Sequence, residues 1–267
     1  FSILVENNYQ MYLMIVGFNI QEKDKHMKNS MKRNYKVLLL MVLLAFASCS
    51  FTTKTFDDSD KDKMLIHIIK SVLEQLHFDP IVIDDDFSSE LFSDYVETMD
   101  PLKRYFYQSD YKDFEKYKLT IDDQIKISDI TFFNVTHERM IKRIQEAKSI
   151  YKEVLSKPFD YTKEEVFDTN SDNTTYAKNR KELKERWRQQ LKFSTLTNYD
   201  DIDTEEKQAK ERDASYVMKT EDVIEKEARE AMLKSLDIYF NDNIDDLKRE
   251  DYFAVYVNAI VEEFAPH

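Results

Sequence analysis

The chain has 267 residues, 39 Lys and Arg against 52 Asp and Glu, 42% hydrophobic residues, one cysteine and one glycine. Such an acidic, aromatic-rich composition can bury a core, but from Cys49 to His267 it lacks the residue that reaches positive φ at low cost. Phosphate-cradling loops, dinucleotide fingerprints, nucleophile elbows and EF-hand loops all need glycine at set positions, so none can be written there.

The first 26 residues begin with Phe1 and read as an upstream extension, with Met27 and Met31 as candidate true starts. Residues 27–49 have the order of a secretory signal: Lys32, Arg33 and Lys36 precede an apolar run from Val37 to Ala47, followed by Ser48-Cys49. The run is too short to span a hydrocarbon core of roughly 30 Å at 1.5 Å per residue. Residues 50–63 are polar and charged, as suits a flexible tether.

From 64 to 267 the pattern is helical and the expected fold is all-α, with one or two helical subdomains. Leu65, Ile68, Ile69, Val72, Leu73 and Leu76 recur at helical spacing from Met64, and Pro80 ends the run. Asp84 to Asp86 can cap a second helix carrying Phe87, Leu91, Phe92, Tyr95, Val96 and Met99, which Asp100-Pro101 breaks. Tyr105-Phe106-Tyr107 forms an aromatic turn before a short helix near Ser109 to Tyr117. The longest periodic stretch, Ser128 to Leu155, turns Ile130, Phe133, His137, Met140, Ile141, Ile144, Ala147, Tyr151 and Val154 inward and stops before Pro158.

Thr162 to Glu165 has capping-box form, and Asp168 to Thr175 reads as a loop. A helix is expected over Tyr176 to Phe193 around Leu183, Trp187 and Leu191, then a polar segment to Asp203 and a charged run to Asp213. Thr220 can cap a helix bearing Val223, Ile224, Ala228, Ala231, Leu236 and Tyr239, and Asp251 another bearing Phe253, Val257, Ile260 and Phe264.

Four stretches in order carry a family resemblance: Asp85-Asp86-Phe87-Ser88 through Tyr95, Met99-Asp100 and Ser109-Asp110; Tyr151 to Thr162; Glu182-Leu183 with Trp187 and Phe193; and Glu262 to His267. Together they resemble the N-terminal domain of tail-specific (carboxyl-terminal processing) proteases, PDZ-containing serine peptidases with a Ser-Lys dyad. Ala265 departs from the family's usual aspartate. The resemblance implies a non-catalytic helical domain that embraces PDZ and protease domains following His267 and helps admit polypeptide substrates. The alternative is a free-standing helical lipoprotein acting as an envelope scaffold or adaptor. Ala47-Ser48-Cys49 likewise resembles the lipobox of bacterial lipoproteins, which makes Cys49 the expected lipid attachment point and the envelope, facing the periplasm, the expected location.

No catalytic residue, cofactor or metal ligand is assigned. Clustered aspartates at 84–86, 122–123, 200–203 and 242–246 read as caps and solvated turns, and His67, His77 and His137 lack zinc spacing. The basic stretch Lys178 to Lys192 surrounds Trp187, but from Ser50 onward 33 basic residues face 49 acidic ones, which argues against a nucleic-acid partner. Tyr105 to Tyr107 and Trp187 read as packing residues.

Overall fold

In the computed structural model, residues 58–76, 82–167 and 174–264 are described, and every regular element among them is helical. The signal region, Cys49, most of the tether, His77, Pro80 and the last three residues lie outside this set.

Helix α1 spans Asp58–Leu76. It begins inside the stretch read as a tether, because Asp58 and Asp60 fall in the first turn, where carboxylates favour the helix dipole. Ile66 and Leu73 are buried, and Asp62 is held by Arg249 at 2.8 Å. Helix α2, Asp85–Met99, starts as expected: the Asp84 carboxylate accepts from Asp86 N and Phe87 N at 3.1 and 3.2 Å. It buries Phe87, Leu91, Phe92, Tyr95 and Val96, and also Ser88.

The expected helix from Ser109 to Tyr117 is two pieces, α3 over Gln108–Phe114 and a 3-10 turn over Glu115–Tyr117. A further helix, α4 over Ile121–Lys126, was not anticipated. Six residues cannot support themselves; the Ser88 hydroxyl accepts from Ile121 N at 2.8 Å and Asp122 N at 3.2 Å, so α2 supplies its cap. Its C-terminus closes through Asp129 N to Gln124 O at 2.7 Å, with Ser128 at φ 58° where glycine is usual.

Helix α5, Thr131–Leu155, is the central element. Phe133, Met140, Ile144, Ala147, Tyr151 and Val154 point inward as expected, joined by Phe132, Ile150 and Leu155, whereas Ile141 is exposed. Phe92, Tyr95, Phe132, Phe133, Phe253 and Tyr256 pack edge-on and offset at centroid separations of 4.9 to 6.3 Å, mutually favourable for ring quadrupoles. Thr162 to Glu165 starts no helix; these residues are exposed turns and extended chain.

The next helix, α6, is far longer than expected, Arg180–Arg212, a rod of roughly 50 Å. The Asn179 side chain caps it by accepting from Glu182 N at 3.1 Å. The polar segment from Ser194 to Asp203 and most of the charged run to Asp213 lie inside this helix, since the stretch lacks proline and glycine and the helix runs on.

Helix α7, Glu221–Ile238, follows Thr220 as expected, although the Thr220 side chain makes no capping bond. Its buried stripe is Ile224, Ala228, Met232 and Leu236, so Met232 replaces Ala231, and Val223 lies outside. A π-helix, Tyr239–Ile244, turns Phe240 onto Tyr151 at 5.0 Å. The final helix, α8 over Arg249–Glu262, starts after Lys248 rather than at Asp251. Asp251 instead sits in the first turn and accepts from Lys248 N at 2.7 Å, and Tyr252, Phe253, Tyr256, Ala259 and Ile260 form the buried face. α5 packs against α3, α6, α7 and α8, and α2 against α4 and α8.

Candidate functional site

Two of the four stretches that carry the resemblance meet at one place, the turn from Asp100 to Asp110, against which Trp187 packs. Asp100 ends α2 and is fully buried. Its Oδ1 accepts from Arg104 N, and its Oδ2 from Tyr105 N and Phe106 N, each at 2.9 Å. Burial pushes the Asp100 carboxyl above the ordinary range, and these three N–H groups act against that push. Lys103, inside the turn, has φ 48°.

Asp110 closes the other end. Its Oδ2 accepts from Tyr107 N at 2.9 Å and from Arg143 Nε at 2.7 Å, while Oδ1 accepts from Arg143 Nη2 at 2.8 Å and from Arg139. Burial pushes this carboxyl up; Arg143, the Tyr107 N–H and Arg139 together pull it below its ordinary value. Arg143 also donates to Glu146 at 2.7 Å and lies 4.0 Å over the Tyr107 ring, and the Tyr107 hydroxyl donates to Glu146 at 2.5 Å. Arg139 and Arg143 are one helical turn apart on α5 and so share a face. That spacing was visible in the sequence, but nothing there pointed to Asp110 as its partner.

α6 completes the junction. Gln108 N donates to Ala177 O at 2.9 Å, Trp187 Nε1 donates to Arg104 O at 3.1 Å, and Arg186 donates to Lys103 O and Thr175 O at 2.5 and 2.7 Å. Trp187 is buried beside Tyr105, and the Arg104 guanidinium stacks on both rings. Tyr105 to Tyr107 are buried, as expected.

Four more basic side chains around Trp187 have carboxylate partners within the chain. Arg180 and Lys184 meet Glu153 at 3.1 and 2.5 Å; Arg188 and Lys192 each meet Glu165 at 2.6 Å. Hydrogen bonds from Arg188, then Lys192, draw the Glu165 carboxyl down to about 2. The extended segment after Pro158 is thereby strapped along α6. At its start, Phe159 N donates to Glu225 Oε1 at 2.8 Å and Arg229 donates to Leu155 O at 2.7 Å.

These groups form a densely bonded node in which ionisable side chains hold main chain or one another. No group of three or more His, Cys, Asp and Glu is placed to hold a metal ion among the described residues. Asp122 pairs with Lys126, Asp203 with Lys207 and Asp245 with Lys148. His137 packs against the rings of Phe133 and Tyr252, its pKa lowered by burial and by Arg249, and His67 lies 3.5 Å from Ser128 Oγ. Among the described residues no helix is long and apolar enough to cross a membrane.

The model of the tail-specific protease N-terminal domain matches residues 69–267. The chain belongs to this family. The match takes in the whole node and every helix from the middle of α1 onward. A tail-specific protease of Haemophilus influenzae is 21% identical over 196 residues, covering 73% of this chain and 25% of that protein. The chain thus spans about a quarter of the length of the curated relative it matches. Within the tail-specific protease N-terminal domain, the motif residues Asp100, Asp110, Glu182 and Trp187 have structural work: Glu182 Oε2 accepts from Lys178 N at 3.1 Å, and the other three fix the turn between α2 and α3.

Proposed function

We propose that this chain is a non-catalytic scaffold domain of a tail-specific protease of the bacterial envelope, contributing surface that embraces the PDZ and protease domains and helps admit polypeptides with apolar C-termini. One observation beyond family membership carries this reading: from 196 to 223 the helical arm formed by α6 and α7 buries no apolar side chain, and Leu196, Val217 and Val223 are 44%, 86% and 42% exposed. Apolar side chains left open along such an arm are what a domain has when its covering partner belongs to another part of the protein. The bonds that Asp100 and Asp110 collect are of the kind a positioning element needs to hold its shape.

The test uses the protein made from the gene's full reading frame. It should cleave an unfolded reporter ending in apolar residues and spare the same reporter ending in aspartates; failure to cleave either would leave the alternative of a free-standing envelope scaffold or adaptor. Substituting Leu196 and Val217 by aspartate should lower cleavage while leaving the helical content unchanged. Attachment at Cys49 belongs to the same proposal: cells given labelled palmitate should label the wild-type protein and not Cys49→Ser.

A further inference from the structure

The exposed arm holds itself together in a way that differs from the rest of the molecule. Up to Leu191 and Thr195, α6 packs by buried side chains; beyond them its one buried residue is Glu206. The end of the arm, from α6 through residues 213–219 to α7, is closed by polar contacts centred on that carboxylate. Glu206 accepts from the Tyr216 hydroxyl at 3.0 Å on both oxygens and from Lys219 N at 2.9 Å, with Lys219 Nζ at 3.5 Å. Lys210 Nζ donates to Ala214 O at 2.7 Å and Tyr216 O at 2.8 Å, and Asp213 Oδ1 accepts from Ser215 N and Oγ. Apolar burial resumes at Ile224.

A helix without a buried face draws little from tertiary packing and is marginal alone. Single polar contacts contribute little each on balance, so a segment closed by a few of them opens at a lower free energy than one closed by a core. We infer that residues 200–222 form a separately opening unit, latched by Glu206, which unzips from its tip while the rest of the helical body stays folded. The inference concerns this chain by itself and does not depend on what covers the arm in a larger protein. It would let the arm adapt its shape to whatever surface it meets without loosening the node at Asp100.

Native-state hydrogen exchange read by mass spectrometry tests this on the intact chain. Amides of 200–222 should exchange about a hundredfold or more faster than those in the middle of α5. Glu206→Gln keeps the size of the side chain but loses its charge; it should speed exchange in 200–222 by about tenfold, the effect of weakening charge-assisted bonds, and leave α5 and the urea midpoint unchanged. Equal protection in the arm and α5 would overturn the inference, since the chain would then open as one unit. A fast arm that Glu206→Gln leaves untouched would overturn the latch. A variant that speeds exchange everywhere would also do so, and Tyr216→Phe, which removes the hydroxyl bonds alone, separates that outcome from a folding defect.

Discussion

Asp100 shows how a chain without glycine in its folded part makes a tight turn. Its carboxylate collects the N–H groups of three successive residues, 104 to 106, which have no helical partner there. Asp100→Ala leaves three buried donors without an acceptor and should cost about 3 kcal/mol or more in urea unfolding, whereas Asp100→Asn, with one acceptor oxygen left, should cost less. The same turn places Lys103 at φ 48°, and Ser128 ends α4 at φ 58°. Left-handed backbone costs a side-chain-bearing residue about 1 kcal/mol or more, so Lys103→Gly and Ser128→Gly should each stabilise the chain by up to roughly 1 kcal/mol, less what glycine loses to unfolded-state freedom. Thermal unfolding of the two variants checks this, with a rise in midpoint expected for each.

At the scale of elements, periodicity made most helices legible. The runs at Phe87 to Val96 and at Phe133 to Val154 contain their own instructions, a cap or a stop at the ends and an apolar stripe between. What escaped was whatever depends on a remote residue. α4 exists because Ser88, over 30 positions earlier, caps it; Ser88→Ala should cost about 1 to 2 kcal/mol and show first as faster exchange at Ile121 and Asp122. The far half of α6 lacked the expected stripe because nothing there is buried except Glu206, so an amphipathic pattern had no reason to exist. At Thr162 the capping signal was present and the helix was not, since Glu165 is drawn away to Arg188 and Lys192. The node itself was half legible: Asp100, Asp110 and Trp187 stood out through the resemblance, while Arg139, Arg143 and Arg186 did not.

That strap gives a pH dependence with a definite sign. Glu165 has an unfolded-state value near 4.5 and is held at about 2 in the folded chain, so its contribution is fully present above 4.5 and is lost as pH falls toward 2. Asp110, also lowered from 3.8, acts in the same direction at the acid end of that window. The urea midpoint should therefore fall between pH 4.5 and 2, and Glu165→Gln should make that fall shallower; an unchanged slope would remove Glu165 from the explanation.

For the whole molecule, the division is between a body dense in buried aromatic rings and an arm without a core. Phe92, Tyr95, Phe132, Phe133 and Tyr256 pack together at the N-terminal end of α5, and Tyr151, Trp187 and Phe240 towards its C-terminal end. Denaturation of the body should be cooperative, whereas truncating the arm tip should change it little. Removing residues 207–218 and joining the helices through a short polar linker is expected to leave the urea midpoint of the body within experimental error.

The sole tryptophan of the sequence sits inside the node, its indole N–H on Arg104 O and its ring between the arginine and aromatic neighbours. Its fluorescence is therefore a local gauge of the turn between α2 and α3, blind to the far end of α6. Circular dichroism counts every helical residue alike. If the arm unzips first on warming, ellipticity will decline while the emission maximum stands still, and the temperature gap between the two curves becomes an optical measure of how independent the two parts are.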